Sequence, residues 1–227
     1  MAKVTQVTPR VREEMWRERV VDMNDGILGV AGLLQGLVAA DIYNSTIVIT
    51  ATIAIVAGAF SLGALRYTEA SFTRDAVMDD IAEEKRLHAL SPDEEFQELV
   101  DIYLDKGLSD ELAHQVATEL TARDALAAHL TEELEIDERD IASPWLAGLS
   151  ASLAFAVGAL IPTVIAIVVT PHDRLLVTIA VVTLSLALTS FVGAKFGGTH
   201  PLRTVLRSVS FGLLIIGIAA AVGEVIY

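Results

Sequence analysis

The chain has 227 residues, of which 53% are apolar, and a formal net charge of −14. High apolar content and high net charge are compatible when they belong to different segments. The absence of cysteine excludes disulfides and thiolate metal sites.

Acidic residues are concentrated in one segment, residues 67–143. This segment holds 22 acidic and 6 basic residues, a net charge of −16, whereas the rest of the chain holds 8 acidic and 10 basic residues. We therefore expect one acidic domain within a chain that is otherwise apolar and nearly neutral.

The apolar part contains charge-free runs that approach or exceed the roughly 20 residues needed to cross a bilayer. The first run has 15 residues, 26–40, and reaches full length only by including Asp22 and Asp25. The other runs are residues 42–65, 141–171, 175–194 and 208–223. We predict five transmembrane helices, two within residues 20–66 and three within 144–227. The complete set of predicted helices is 20–41, 45–89, 92–105, 109–121, 123–135, 145–169, 174–195 and 203–226.

The acidic segment has a pattern that predicts folded helices rather than disorder. Its apolar residues follow helical spacing at Phe96, Leu99, Val100, Tyr103 and Leu104. Ser91 is a predicted N-cap and Gly107 a predicted helix end. The predicted fold class is therefore an all-α membrane protein, with a cytosolic three-helix acidic domain inserted between transmembrane helices 2 and 3.

Lysine and arginine residues near the helix ends predict the orientation, because they favour the cytosolic side. They are concentrated in the N-terminal segment, residues 1–19, and before the last helix: Lys3, Arg10, Arg12, Arg17, Arg19, Lys195, Arg203 and Arg207. We expect the N-terminus and the acidic domain in the cytosol and the C-terminus outside. The charged first 20 residues are not expected to be a cleavable signal peptide. The short chain without cysteine favours a prokaryotic plasma (inner) membrane.

Six residues of the first predicted helix share one face. They are separated by 4, 3, 4, 3 and 4 positions: Glu18, Asp22, Asp25, Gly29, Gly32 and Gly36. Helix packing alone explains glycines at this spacing. Carboxylates in a membrane are costly and usually face water, a cation or a proton path. We therefore predict that Asp25, Asp22 and Glu18 line a transport path.

Carboxylates and histidines of the acidic domain predict a site for divalent metal. They fall into three sets with one-turn spacing: Asp80, Glu84 and His88; Glu95 and Glu98; His129, Glu132 and Glu133. These donors suit Fe²⁺, Mn²⁺ or Zn²⁺. The alternative for any single set is a solvated acidic surface.

Several motifs together resemble the vacuolar iron transporter family from about Arg19 to the end of the chain. They are VDMNDGI (21–27), AGAFSLG (57–63), PDEEFQEL (92–99), DALAAHLTEEL (124–134), GALIP (158–162) and GTHPLR (198–203). Together these motifs are fairly specific to the family.

The resemblance implies five membrane helices, a homodimer with the ion path between the first helices of its subunits, and a cytosolic domain that gathers divalent metal. It also implies export of Fe²⁺ from the cytosol in exchange for protons, with Asp25 as the transport aspartate. The metal-domain glutamates correspond to Glu84, Glu95, Glu98 and Glu133. Leu62 and His129 stand at positions where family members often have methionine, and Leu87 stands where they have glutamate. The loss of the methionine sulfur ligands makes Mn²⁺ an alternative cargo.

The sequence thus predicts a transporter rather than an enzyme, with Fe²⁺ or Mn²⁺ as cargo and Zn²⁺ or Co²⁺ as further alternatives. Expected partners are a second copy of the chain, the lipid bilayer, metal ions and protons, with no nucleic acid and no prosthetic group. Two other classes of function stay open: a ferroxidase, and a structural or sensory protein that moves no ion. The sequence has no Glu-x-x-His pair of the di-iron kind, which counts against the ferroxidase.

Overall fold

The computed structural model describes residues 9–40, 42–134, 136, 141–170 and 172–226, and the regular structure in this part of the chain is entirely helical. Its helices are α1 (Pro9–Ala39), α2 (Asn44–Leu90), α3 (Pro92–Asp105), α4 (Asp110–Glu132), α5 (Pro144–Val168), α6 (Arg174–Phe196) and α7 (Pro201–Ile226). The chain divides into two compact units. We call them the apolar unit, which comprises the described residues up to Glu69 and from Pro144 on, and the acidic unit, which lies between Ala70 and Ser143.

The predicted helices are present, with two differences at their boundaries. Helix α1 begins at Pro9 rather than near residue 20, because residues 9–19 are rich in Glu and Arg, which favour helix. The helices predicted at 109–121 and 123–135 form one run that is interrupted at Asp124, where the backbone is extended (φ −169°, ψ 95°). The Asp124 carboxylate accepts a hydrogen bond from the Ala127 N–H (3.1 Å), so it caps the second part of the run.

Among the residues that the structure describes, four helices are long and apolar enough to cross a membrane, and they lie within α2, α5, α6 and α7. Helix α1 is not among them, because its apolar stretch begins only after Asp25. Length and composition therefore support four of the five predicted spans.

Helix α1 nevertheless occupies the centre of the apolar unit, where it contacts α5, α6 and α7. Its buried residues belong to two core clusters. One contains Val30 and Leu34 of α1 with Ile47, Ala51, Phe155, Ala159 and Ala166. The other contains Ile27 and Ala31 of α1 with Val182, Leu186 and Ile216. Large apolar side chains on α5, α6 and α7 remain exposed, as expected for surfaces that meet lipid.

Two glycines allow α1 and α5 to approach very closely. A Cβ atom at Gly26 would lie 2.1 Å from the backbone oxygen of Phe155, and one at Gly158 would lie 2.1 Å from the backbone oxygen of Met23. Because backbone atoms of a packed helix cannot move aside individually, either side chain would push the two helices apart.

We expect Gly26→Ala to destabilise the protein by roughly 1–3 kcal/mol, the usual cost of overpacking. Thermal unfolding in detergent measures the effect. The matched control is Gly217→Ala on α7, where an added Cβ meets no atom of the described residues within 4 Å and alanine favours the helix. An unchanged unfolding temperature for Gly26→Ala would contradict the packing described here.

In the acidic unit, α3 packs on α4 through the predicted apolar stripe. Leu99 and Val100 are fully buried, and the core is completed by Phe96, Tyr103, Leu104, Ala113, Ala117 and Ala128. Gly107 has a positive φ of 92° and ends α3 as predicted. The prediction for Ser91 is wrong in one respect, because its side chain makes no capping hydrogen bond.

Candidate metal centre

Four side chains from three helices of the acidic unit meet at one point. Helix α2 supplies Glu84 and His88, α3 supplies Glu95 from its first turn, and α4 supplies His129 from its last. One potential ligand atom from each residue lies within 4.8 Å of those of the other three. We call these four residues the metal group.

His129 Nδ1 is surrounded by carboxylate oxygens. It lies 3.3 Å from Glu84 Oε1, 3.8 Å from Glu95 Oε2 and 3.3 Å from Glu133 Oε2. His88 Nε2 approaches the same Glu84 oxygen at 3.3 Å, and the two imidazole rings meet edge to face with centroids 4.6 Å apart.

The metal group is buried but its polar atoms are not satisfied. Glu84, Glu95 and His129 are 4%, 5% and 1% exposed. Glu84 Oε1, His88 Nε2 and Glu95 Oε2 are fully enclosed, yet they make no hydrogen bond with any residue that the structure describes. Buried polar atoms without partners are costly, so their convergence indicates a place for a cation.

Burial and neighbouring carboxylates change the proton affinity of this region. Burial, followed by the charge of Glu133, raises the pKa of Glu84 to about 7. Glu98 is an exposed residue, but partial burial of its carboxylate also raises its pKa, with Glu133 as the next cause. The pKa of His88 is lowered, first by burial and then by His129, so its imidazole stays neutral and able to bind metal near neutral pH.

Metal affinity of the full-length protein is expected to fall about tenfold for each pH unit below 7, because metal must then displace the proton of Glu84. The raised pKa also affects the stability of the metal-free protein. Its folded state holds the Glu84 proton more tightly than the unfolded chain does, so this proton stabilises the fold at low pH, and the stabilisation is lost as pH rises through 7. Isothermal titration with Mn²⁺ at pH 6, 7 and 8 measures the effect. Glu84→Gln should flatten the dependence, and equal affinities at pH 6 and pH 8 would refute it.

Four other predicted ligands lie outside the metal group. Glu133 is the nearest, through its 3.3 Å approach to His129, and Glu98 is exposed with Glu133 and Glu95 as electrostatic neighbours. Asp80 is exposed, and Glu132 forms an ion pair with Lys106. The structure thus does not bring Asp80 or Glu132 into the group.

Asp22 in the apolar unit is held by arginines. It is fully buried, and its Oδ1 accepts hydrogen bonds from Arg66 Nε (3.1 Å) and Nη2 (2.9 Å). Its Oδ2 lies 3.5 Å from Arg19 Nη1. The prediction of Asp22 as a transport-path carboxylate did not foresee these partners. One feature of the sequence could have indicated Arg66 as a partner of Asp22: it is a single cation directly after the charge-free run that ends at Leu65.

Asp25 has a different environment from Asp22. It is exposed, as is Glu18, and it makes no hydrogen bond or ion pair with any described residue. It lines a groove of about 470 Å³ between α1, α6 and α7 and a second groove of about 450 Å³ between α1 and α7. The adjacent Asn24 is fixed to α6, since it accepts a hydrogen bond from Thr189 Oγ1 (2.6 Å) and donates one to Ser190 Oγ (3.3 Å).

The helix face that carries the predicted carboxylates and glycines is only partly covered by other helices: α2 covers one side of it and α7 the other. Asp22 faces α2, whereas Gly32 and Gly36 face α7 at Ile215 and Ala219. A row of exposed residues runs along α1 between the sides that meet α2 and α7. We call this row the open strip: Glu18, Val21, Asp25, Gly29 and Leu33. A Cβ atom at Gly29 would meet nothing within 4 Å.

Comparison with known proteins gives a consistent result over nearly the whole chain. A model of the VIT family matches residues 16–224. The chain is 31% identical to a vacuolar iron transporter of Acanthamoeba castellanii, over 91% of this chain and 77% of that protein. It is 28% identical to vacuolar iron transporter 2 of Oryza sativa subsp. japonica, over 88% and 83% of the two chains. It is 23% identical to vacuolar iron transporter 1 of Arabidopsis thaliana, over 94% and 86%. The family resemblance predicted from the motifs is confirmed.

Proposed function

This chain belongs to the VIT family, and from that premise we propose that it exports Fe²⁺ from the cytosol in exchange for protons, with Mn²⁺ as an alternative cargo. The observation that carries the proposal is the buried metal group of Glu84, His88, Glu95 and His129. Its oxygen and nitrogen donors suit divalent transition metals, and the same chain contains helices able to cross a membrane.

The chain is an integral membrane protein, and its proposed topology has five spans. Helix α1 is the first span and the apolar part of α2 the second; α5, α6 and α7 are the others. Residues 67–143 form the cytosolic metal-binding domain between spans 2 and 3. The concentration of Lys and Arg at the N-terminus and before α7 supports a cytosolic N-terminus and an external C-terminus. The short chain without cysteine favours a prokaryotic plasma membrane.

We place the transport path along the open strip of α1. A homodimer with two-fold symmetry would bring the open strips of two copies together, so that two Asp25 side chains share one partly dehydrated ion. Glu18, two helical turns closer to the cytosol, draws cations toward the path. Asp22 is assigned to the ion pair with Arg66 rather than to the cargo.

Proton exchange follows from the crowding of these carboxylates. When the metal ion leaves, two facing carboxylates in a poorly solvated place repel each other, and a bound proton relieves the repulsion. Metal and protons therefore compete for the same oxygens, which couples their movement in opposite directions.

Reconstitution in liposomes that contain a metal-sensitive dye and a pH dye tests the function. External Fe²⁺, kept reduced, should enter the vesicles while their interior becomes alkaline, and protein-free vesicles should show neither signal. Saturable binding of Fe²⁺ or Mn²⁺ without flux would instead favour a sensory protein. Oxygen consumption on addition of Fe²⁺ would favour a ferroxidase.

A further inference from the structure

The metal group contains two imidazoles whose nitrogen atoms both face the carboxylates. His129 Nδ1 and His88 Nε2 each lie 3.3 Å from Glu84 Oε1, and Glu95 Oε2 completes the set. We propose that these residues form a site with two nitrogen and two oxygen ligands, which prefers Zn²⁺ and Co²⁺ to Fe²⁺, prefers Fe²⁺ to Mn²⁺, and rejects Mg²⁺ and Ca²⁺. This inference rests on the proposed function, since it specifies the class of ion that the cytosolic domain collects.

The unsatisfied atoms support a built site rather than a chance cluster of acids. Three of the four potential ligand atoms are enclosed and make no hydrogen bond within the described part of the chain, and Glu84, Glu95 and His129 are each more than nine-tenths buried. The α3–α4 core around Leu99 and Val100 fixes the positions of Glu95 and His129 relative to each other. The donors are therefore preorganised, and an ion supplies the partner that the protein atoms lack.

A groove of about 320 Å³ gives access to this site from the imidazole side. It is lined by both histidines and by Lys85, Phe96 and Leu126, among others. His88 is the more accessible of the two ligands, with 17% of its side chain exposed, compared with 1% for His129. An incoming ion would contact the His88 ring first, and the enclosed Nε2 atom and the buried carboxylates afterwards.

The donor set determines the order of preference. Imidazole nitrogen suits the later first-row divalent metals, whose affinity rises from Mn²⁺ through Fe²⁺ and Co²⁺. Four ligands with nitrogen among them suit tetrahedral Zn²⁺. Mg²⁺ and Ca²⁺ prefer a shell made only of oxygen atoms, usually including water, whereas two of the four donors in this site are imidazole nitrogens.

Titration of the untagged full-length protein in detergent with Co²⁺ tests the proposal. We expect the intense visible absorption of four-coordinate Co²⁺, which Zn²⁺ abolishes near stoichiometric addition and Mn²⁺ only in large excess. His88→Gln and His129→Gln should each weaken Co²⁺ binding by about tenfold or more, as expected for loss of a ligand. The matched control is His114→Gln, because His114 is 44% exposed and bonds to the Asp110 backbone oxygen, outside the metal group.

X-ray absorption of the Zn²⁺-loaded protein provides a second measurement that needs no variant, since imidazole ligands give a distinctive scattering pattern. An oxygen-only shell, or Co²⁺ binding that neither histidine variant weakens, would overturn the inference. The proposed function fails separately: absence of flux in the intact protein would refute transport, even where the Co²⁺ spectrum is as expected. Conversely, flux together with an oxygen-only shell would refute this inference alone.

Discussion

Asp25→Asn is expected to abolish proton-coupled metal flux in proteoliposomes. The change keeps the shape of the side chain but removes its charge, which lies on the open strip of α1 and pairs with no described residue. Loss of a single charged contact to the ion costs about 3 kcal/mol, which corresponds to a reduction in rate of about a hundredfold, and in a homodimer the variant removes this contact from both copies. The internal metal dye and the pH dye should report the same loss.

The matched control for this variant is Glu224→Gln. Glu224 is an exposed carboxylate near the C-terminal end of α7, close to the opposite end of the proposed path, and its neutralisation should leave flux near the wild-type value. Asp25 lies in the apolar unit, so an unchanged unfolding temperature of the purified Asp25→Asn variant in detergent would establish that this unit is folded. Wild-type flux in Asp25→Asn would rule out the proposed path.

The helices could be predicted because their signals lie within each helix. Charge-free runs located α5, α6 and α7, and the apolar stripe containing Leu99 and Val100 identified the face by which α3 packs on α4. Both signals depend on residues a few positions apart. The early start of α1 was missed because a charged segment of good helix formers has no apolar periodicity to mark it.

The environment of each carboxylate could not be predicted in the same way. Spacing places Glu132 and Glu133 equally well beside His129, but Glu132 pairs with Lys106 from the end of α3 while Glu133 approaches the metal group. Likewise, spacing puts Asp22 and Asp25 on one face of α1, yet only Asp22 lies at the edge that meets Arg66 of α2. Periodicity defines a face of a helix, and tertiary packing decides what covers it.

Arg66→Met is expected to lower the free energy of unfolding by about 3 kcal/mol, because it leaves the fully buried Asp22 carboxylate with only the more distant Arg19. The double variant Asp22→Asn with Arg66→Met should regain most of the loss, since neither partner then buries an unpaired charge. Unfolding in mixed detergent micelles measures both. The matched control is Arg86→Met, which removes an exposed pair with Glu83 (2.6 Å) and should change stability by less than about 1 kcal/mol. If the double variant were as unstable as Arg66→Met alone, packing of the arginine stem rather than its charge would fix α1 to α2.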